Sequence, residues 1–183
     1  MAIGALAIVL GLIVVVVLIV IYYLNRINIL SNRIENAWAQ IDVQLKKRTD
    51  LVPNLIETVK GYMKHEKAVF KDVTDARKAM MGAQTPEDKA KAGNVLAGAL
   101  KTIFALSENY PTLKANENFK MPQEELSGIE NKIAYARQFF NDSVLEYNNL
   151  ITTIPGSFFA FGKQPKKFLE IEEAERKVVK VGF

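Results

Sequence analysis

No cysteine occurs anywhere in the chain. That excludes disulfides, thiolate metal sites and a lipid-modified N-terminal cysteine together, and it is consistent with a reducing compartment. Histidine is nearly absent as well. His65 is followed by Glu66 as at the start of a zinc-protease helix, but the second histidine that motif requires four positions on is Val69. A Ser-His pair would have to recruit the same His65, and no Gly-x-Ser-x-Gly turn exists. Gly93 and Gly98 are not followed by the Lys-Ser or Lys-Thr of a phosphate loop, and no acidic cluster has ligand spacing. The expectation is a protein that is not an enzyme and carries neither metal nor cofactor.

Charge is missing too, from one place. Residues 2–24 read AIGALAIVLGLIVVVVLIVIYYL. As a helix this run is about 34 Å long, enough to cross a hydrocarbon layer of about 30 Å with some tilt. Tyr22 and Tyr23 have the ring type that settles among headgroups, and Asn25 and Arg26 end the run. A cleaved signal peptide would show a basic start, a shorter apolar stretch and a small-residue cleavage site; none is present. The segment reads as a retained membrane span. No Lys or Arg precedes it, whereas Arg26 and Arg33 follow closely, then Lys46, Lys47 and Arg48. The basic flank places the N-terminus outside and the rest of the chain in the cytoplasm. Gly4, Ala7 and Gly11, at steps of three and four, offer a face for close helix association and so for a homo-oligomer.

The remaining residues, about 160, suffice for one domain with a proper core. The net charge of +4 is spread through every segment and interleaved with acids, which argues against a nucleic-acid partner and for anionic membrane lipid. Four apolar stripes at helical spacing follow the span: Leu24 to Leu45, Leu55 to Met80, Ala92 to Leu113 and Leu126 to Ile154. Comparable period-two alternation is confined to the last few residues, around Val178, Val179 and Val181, after a charged stretch from Glu170 to Arg176 that reads as a short helix. Thr85 should cap the third helix, with Pro86 at its first position and acids in its first turn. Pro111 should end or kink that helix, Pro122 should open the next, and Pro155-Gly156 should close it. Pro53 is ambiguous. Asp50 could cap a new helix there, making a hairpin; yet Leu45, Arg48, Val52 and Leu55 keep one heptad phase across it, as in a single kinked helix.

Asn36-Ala37-Trp38, Gln40 to Leu45, Asp50 to Leu55, Tyr62, His65-Glu66, Glu108 to Pro111, Leu113 to Asn116, Phe119, Glu130-Asn131, Ala136-Arg137, Phe140-Asn141 and Tyr147-Asn148 together resemble the LemA family of bacterial membrane proteins. The resemblance implies an all-α fold, an N-terminal transmembrane helix followed by an antiparallel up-and-down four-helix bundle, and it favours the hairpin at Pro53. It implies a place in the bacterial cell (inner) membrane, beside other membrane or envelope proteins in envelope maintenance. It implies no activity, because the family has no agreed biochemical function. The expected layout is a span at 2–24, a bundle at 25–155 and a Phe/Lys-rich segment with tail at 156–183.

Two sets of residues stand out. Arg48 and Glu66 occupy core slots, while Glu130, Arg137, Asn141 and Asn148 recur at steps of seven, four and seven along one edge of the last helix. Charges in core slots are costly unless paired, so these six are expected to form a buried polar network that fixes helix register, with a ligand-binding site as the alternative. The second set is Phe158, Phe159, Phe161, Lys163, Lys166 and Lys167, aromatics beside lysines, the composition of a membrane-interface segment. If the bundle makes an even number of passes, this segment returns to the membrane; if odd, it caps the far end.

Overall fold

The computed structural model describes residues 2–169. The charged stretch and alternating valines expected after Leu169 lie outside the described residues. Five α-helices follow one another: α1 Ala2–Lys60, α2 Lys67–Gly82, α3 Pro86–Ser107, α4 Pro111–Lys114 and α5 Glu117–Thr152, then a 3-10 turn at Gly156–Phe159. No strand occurs among the described residues, so the fold is all-α. Contacts group residues 38–138 into one compact unit, and residues 2–37 with 139–169 into another.

The unit 38–138 is a four-helix bundle. Leu45, Val52, Leu55 and Val59 on α1 are buried, as are Phe70, Val73, Ala76 and Met80 on α2, Leu96, Leu100 and Ile103 on α3, and Leu126, Ile129 and Ile133 on α5. Apolar positions at steps of three and four give each helix one buried stripe, and four stripes close on one core. Directions follow from the contacts. Arg77 of α2 reaches Thr49 of α1, Gly93 of α3 lies against Leu45 of α1, and Asn94 of α3 meets Arg137 of α5. The helices therefore run up, down, up and down. Thr85 caps α3 as expected: its Oγ1 accepts from the Asp88 N–H at 3.1 Å, with Pro86 in the first turn.

Pro53 does not sit at a hairpin. It lies inside α1, which runs unbroken to Lys60; the turn falls at residues 61–66 instead. A proline in a helix removes the N–H that would bond to the carbonyl four residues back. That carbonyl is Thr49 O, and Arg77 Nε donates to it at 3.1 Å. The lost bond is replaced from α2, and the heptad phase continues through Val52, Leu55 and Val59. The number of passes stays at four because the second apolar stripe, not the first, is the one cut. Two further boundaries moved. Pro111 opens the short α4, and α5 begins at Glu117, ahead of Pro122. Asn116 fixes that earlier start: its Oδ1 accepts from Asn118 N–H at 2.8 Å. Phe119, fully buried and packed edge-on to Phe104, anchors the added turn.

The other unit joins residues 2–37 of α1 to residues 139–152 of α5. Ile27, Leu30, Ile34 and Ala37 are buried with Phe140, Val144, Tyr147 and Ile151. Before them, Leu6, Val9, Ile13, Val16 and Leu18 are each about half exposed or more. A helix apolar on every side and covered by no protein has lipid as its solvent. The N-terminal part of α1 is long and apolar enough to cross a membrane.

Candidate functional site

In the bundle unit the buried Arg48 is the focus. Its guanidinium donates to Glu130 and, at 2.9 Å, to the carbonyl of Gly93. Gly93 makes this approach feasible: a Cβ there would lie 2.7 Å from Leu45 Cδ2, so only glycine lets α1 and α3 pack this closely without a shift. Burial pulls the Arg48 pKa down, the Glu130 carboxylate raises it again, and nearby Arg137 lowers it further. Arginine stays charged through such a shift, so the pair holds a cation inside the bundle against its desolvation cost. Arg137 is occupied by Asn94 Oδ1 at 2.5 Å. Beside Arg48 and Glu130, Leu100, Phe104 and Leu126 line an open cavity of about 250 Å³.

The six residues expected to form one network fall into separate groups. Arg48 and Glu130 pair, with Arg137 close by. Glu66 is only half-buried and accepts from the Tyr110 hydroxyl at 3.4 Å, at the turn between α1 and α2. Asn141 and Asn148 bind the tail. The reason is distance: Glu130 and Asn141 are eleven residues apart on one helix, about 16 Å along its axis. His65 is exposed in the turn before α2. Among the described residues, no group of three or more His, Asp and Glu is placed to hold a metal ion.

In the membrane-proximal unit, the Glu146 carboxylate accepts from both Arg26 and Arg33, tying α5 to α1 just beyond the span. Past α5 the chain turns sharply. A Cβ on Gly156 would collide with the Leu150 carbonyl oxygen. The turn brings the Phe159 ring parallel to Tyr23, centroids 4.9 Å apart. Tyr23 lies at the end of the apolar run, so Phe159 stands beside that end, with Phe158 and Phe161 exposed next to it at 62% and 87%. Lys163 is exposed next to them. Lys166 does not join this cluster: its ammonium donates to Ser31 at 3.1 Å, lies 4.0 Å from Glu35 and covers the Tyr147 ring. Ser31 is seven residues beyond Leu24, about 10 Å farther from the span. Lys167 follows it and is exposed.

The tail itself is held by its main chain. Asn148 Nδ2 donates to Lys166 O and its Oδ1 accepts from Lys166 N–H, both at 2.8 Å. Asn141 repeats the pair with Leu169, at 3.0 and 2.9 Å. Sequence reasoning placed both asparagines on a helix edge but missed this role. Their spacing of seven was the available signal, since two helical turns match three residues of extended chain.

A helix long and apolar enough to cross a membrane and a helical bundle on the same chain define a membrane-anchored helical-bundle protein. The sequence profile of the LemA family matches residues 37–183, and the chain belongs to that family. It is 27% identical to "Magnetosome protein MamQ" of Magnetospirillum gryphiswaldense over 75% of this chain and 61% of that protein. It is 24% identical to "Magnetosome protein MamQ 2" of Paramagnetospirillum magneticum over 66% of this chain and 54% of that protein. The chain thus matches little more than half the length of these curated relatives.

Proposed function

We propose that the protein is a non-enzymatic interaction module or scaffold, held with its N-terminus outside and its bundle at the cytoplasmic face of the bacterial cell membrane. There it binds other membrane or envelope proteins. The observation that carries this reading is the continuity of α1: one helix supplies both the span and the first bundle segment. Its ionisable groups with displaced pKa values fit a structural role. Arg48 is shifted chiefly by burial and Tyr147 by burial alone, which raises its pKa. The magnetosome role in the MamQ names belongs to those proteins; only the family is drawn from them.

Photo-crosslinking residues placed at Val95 and Tyr135, both exposed on the bundle, test the module. Discrete adducts with other envelope proteins, lost when residues 2–24 are deleted, are the expected result. Adducts with lipid alone contradict it. Orientation is tested separately, by placing one cysteine at Ala2 and another at Tyr135 and treating intact cells with a membrane-impermeant thiol reagent. Labelling of the first alone is expected.

A second reading is a lipid-contacting protein that self-assembles and shapes membrane. The stack of Phe159 on Tyr23, with Phe158 and Phe161 exposed beside it, favours the lipid contact. Replacing the three phenylalanines by serine in a protein lacking residues 2–21, which keeps Tyr23, should abolish flotation with anionic liposomes. Undiminished flotation sinks this reading.

A further inference from the structure

An extended chain carries main-chain N–H and C=O groups that need partners when they lie against protein. Lys166 and Leu169 find theirs in neither helix nor strand. Each exchanges two hydrogen bonds with a single asparagine amide, four bonds in all, at 2.8 to 3.0 Å. Because the amide offers one donor and one acceptor in a plane, it mimics the edge of a neighbouring strand. Asn141 and Asn148 are seven residues apart, about 10.5 Å on the helix, and three residues of extended chain cover about 9.5 Å. The two amides therefore form a ladder matched to an extended peptide. They read its backbone rather than its side chains. Lys166 adds a side-chain anchor, set over Tyr147 and bonded to Ser31.

We infer that this ladder is a peptide-binding site that receives residues 166–169 of a neighbouring copy as well as the chain's own. A clamp that recognises main chain cannot distinguish its own tail from an identical one. Residues 153–165 connect α5 to the clamped segment; fully extended they reach about 40 Å, twice the width of a two-helix unit about 20 Å across. Gly162, in the left-handed region at φ 68°, gives that connection a turn that can be redrawn. The span also holds every copy at one height, so the clamp of one and the tail of another meet in a plane. Exchange would conserve all four bonds, the condition under which swapping costs least. This names a second copy as one partner of the interaction module and rests on that reading.

The absence of cysteine permits a clean test. Ser31→Cys and Lys166→Cys place one thiol beside the clamp and one on the tail, leaving both asparagines in place. Two differently tagged full-length proteins, each with one substitution, are co-expressed and their membranes treated with a short bismaleimide. A mixed dimer is expected, reduced at least tenfold when Asn141→Leu and Asn148→Leu are added to the Ser31→Cys copy. A protein carrying both cysteines reports whether the tail is seated in its own clamp. Crosslinking within that chain but never between copies overturns the inference, as does a mixed dimer that survives loss of the asparagines or an absence of both products. Adducts at Val95 and Tyr135 are scored independently, so failure here leaves the module reading separately testable.

Discussion

The two halves of α5 carry polar residues on the same edge and use them in opposite ways. In the bundle unit, Glu130 and Arg137 are spent on other helices: one neutralises buried Arg48, the other holds Asn94 of α3. In the membrane-proximal unit, Asn141 and Asn148 are spent on backbone that has no secondary structure of its own. The first arrangement deals with buried charge, the second with unpaired main chain. Both replace a missing partner, and so does Arg77, which takes the carbonyl left open by Pro53. What differs is the consequence of failure. An uncompensated charge strains the core, whereas an unclasped tail only lets go.

The largest expected effect follows from that asymmetry. Glu130→Leu leaves Arg48 buried without its carboxylate and should cost about 2–4 kcal/mol in denaturant unfolding. Arg48→Met removes the charge while Glu130, 40% exposed at its side chain, can turn to water; it should cost under about 1 kcal/mol. Equal losses would mean that the pair does not carry the cost of a buried charge.

Next is the proline. Pro53→Ala restores an N–H for Thr49 O and should stabilise the bundle by about 1–2 kcal/mol. Arg77→Ala should cost about 1 kcal/mol alone and less than half of that in the Pro53→Ala background. Additive effects would separate the two residues.

In the other unit, Asn141→Leu with Asn148→Leu should leave the melting temperature almost unchanged. Proteolysis between residues 160 and 169 should quicken roughly tenfold, as expected for local opening rather than global unfolding. A fall in melting temperature comparable to that of Glu130→Leu would erase the contrast between the units.

The smallest effect is alkaline. Burial raises the Tyr147 pKa, so the folded state holds its phenolic proton more tightly than the unfolded chain. The associated stability is intact below the ordinary tyrosine value of about 10 and is lost as pH rises through the folded value. Tyr147→Phe should remove that loss, visible as a flatter alkaline limb in melts.

Much of this was legible before any coordinates. The uncharged run 2–24, the Thr85-Pro86 cap and the helical period of the stripes are local patterns and became helix as expected, although the second stripe was divided at residues 61–66 and the third between α3 and α4. The phase kept by Leu45, Arg48, Val52 and Leu55 pointed to an uninterrupted helix, and that signal outweighed the family-based expectation of a hairpin at Pro53. What made the unbroken helix tolerable, Arg77, lies 28 residues from Thr49 in sequence and leaves no periodic trace. The break at residues 61–66 carried one faint mark, Gly61, amid apolar residues in register. The tail clamp left only the spacing of seven between its asparagines: its partners are remote, since Asn148 and Lys166 are 18 residues apart, joined by a turn that folds only because Gly156 has no side chain.

The claim that most needs testing in the membrane-proximal unit is that the aromatic segment after α5 meets the membrane surface. The chain's single tryptophan, Trp38, lies fourteen residues beyond Leu24 on α1, about 21 Å along the helix. Quenching by headgroup-labelled lipid should therefore spare the natural protein. In Trp38→Phe with Phe159→Trp it should quench the new indole strongly. An indole at position 159 no more quenched than Trp38 would contradict the account.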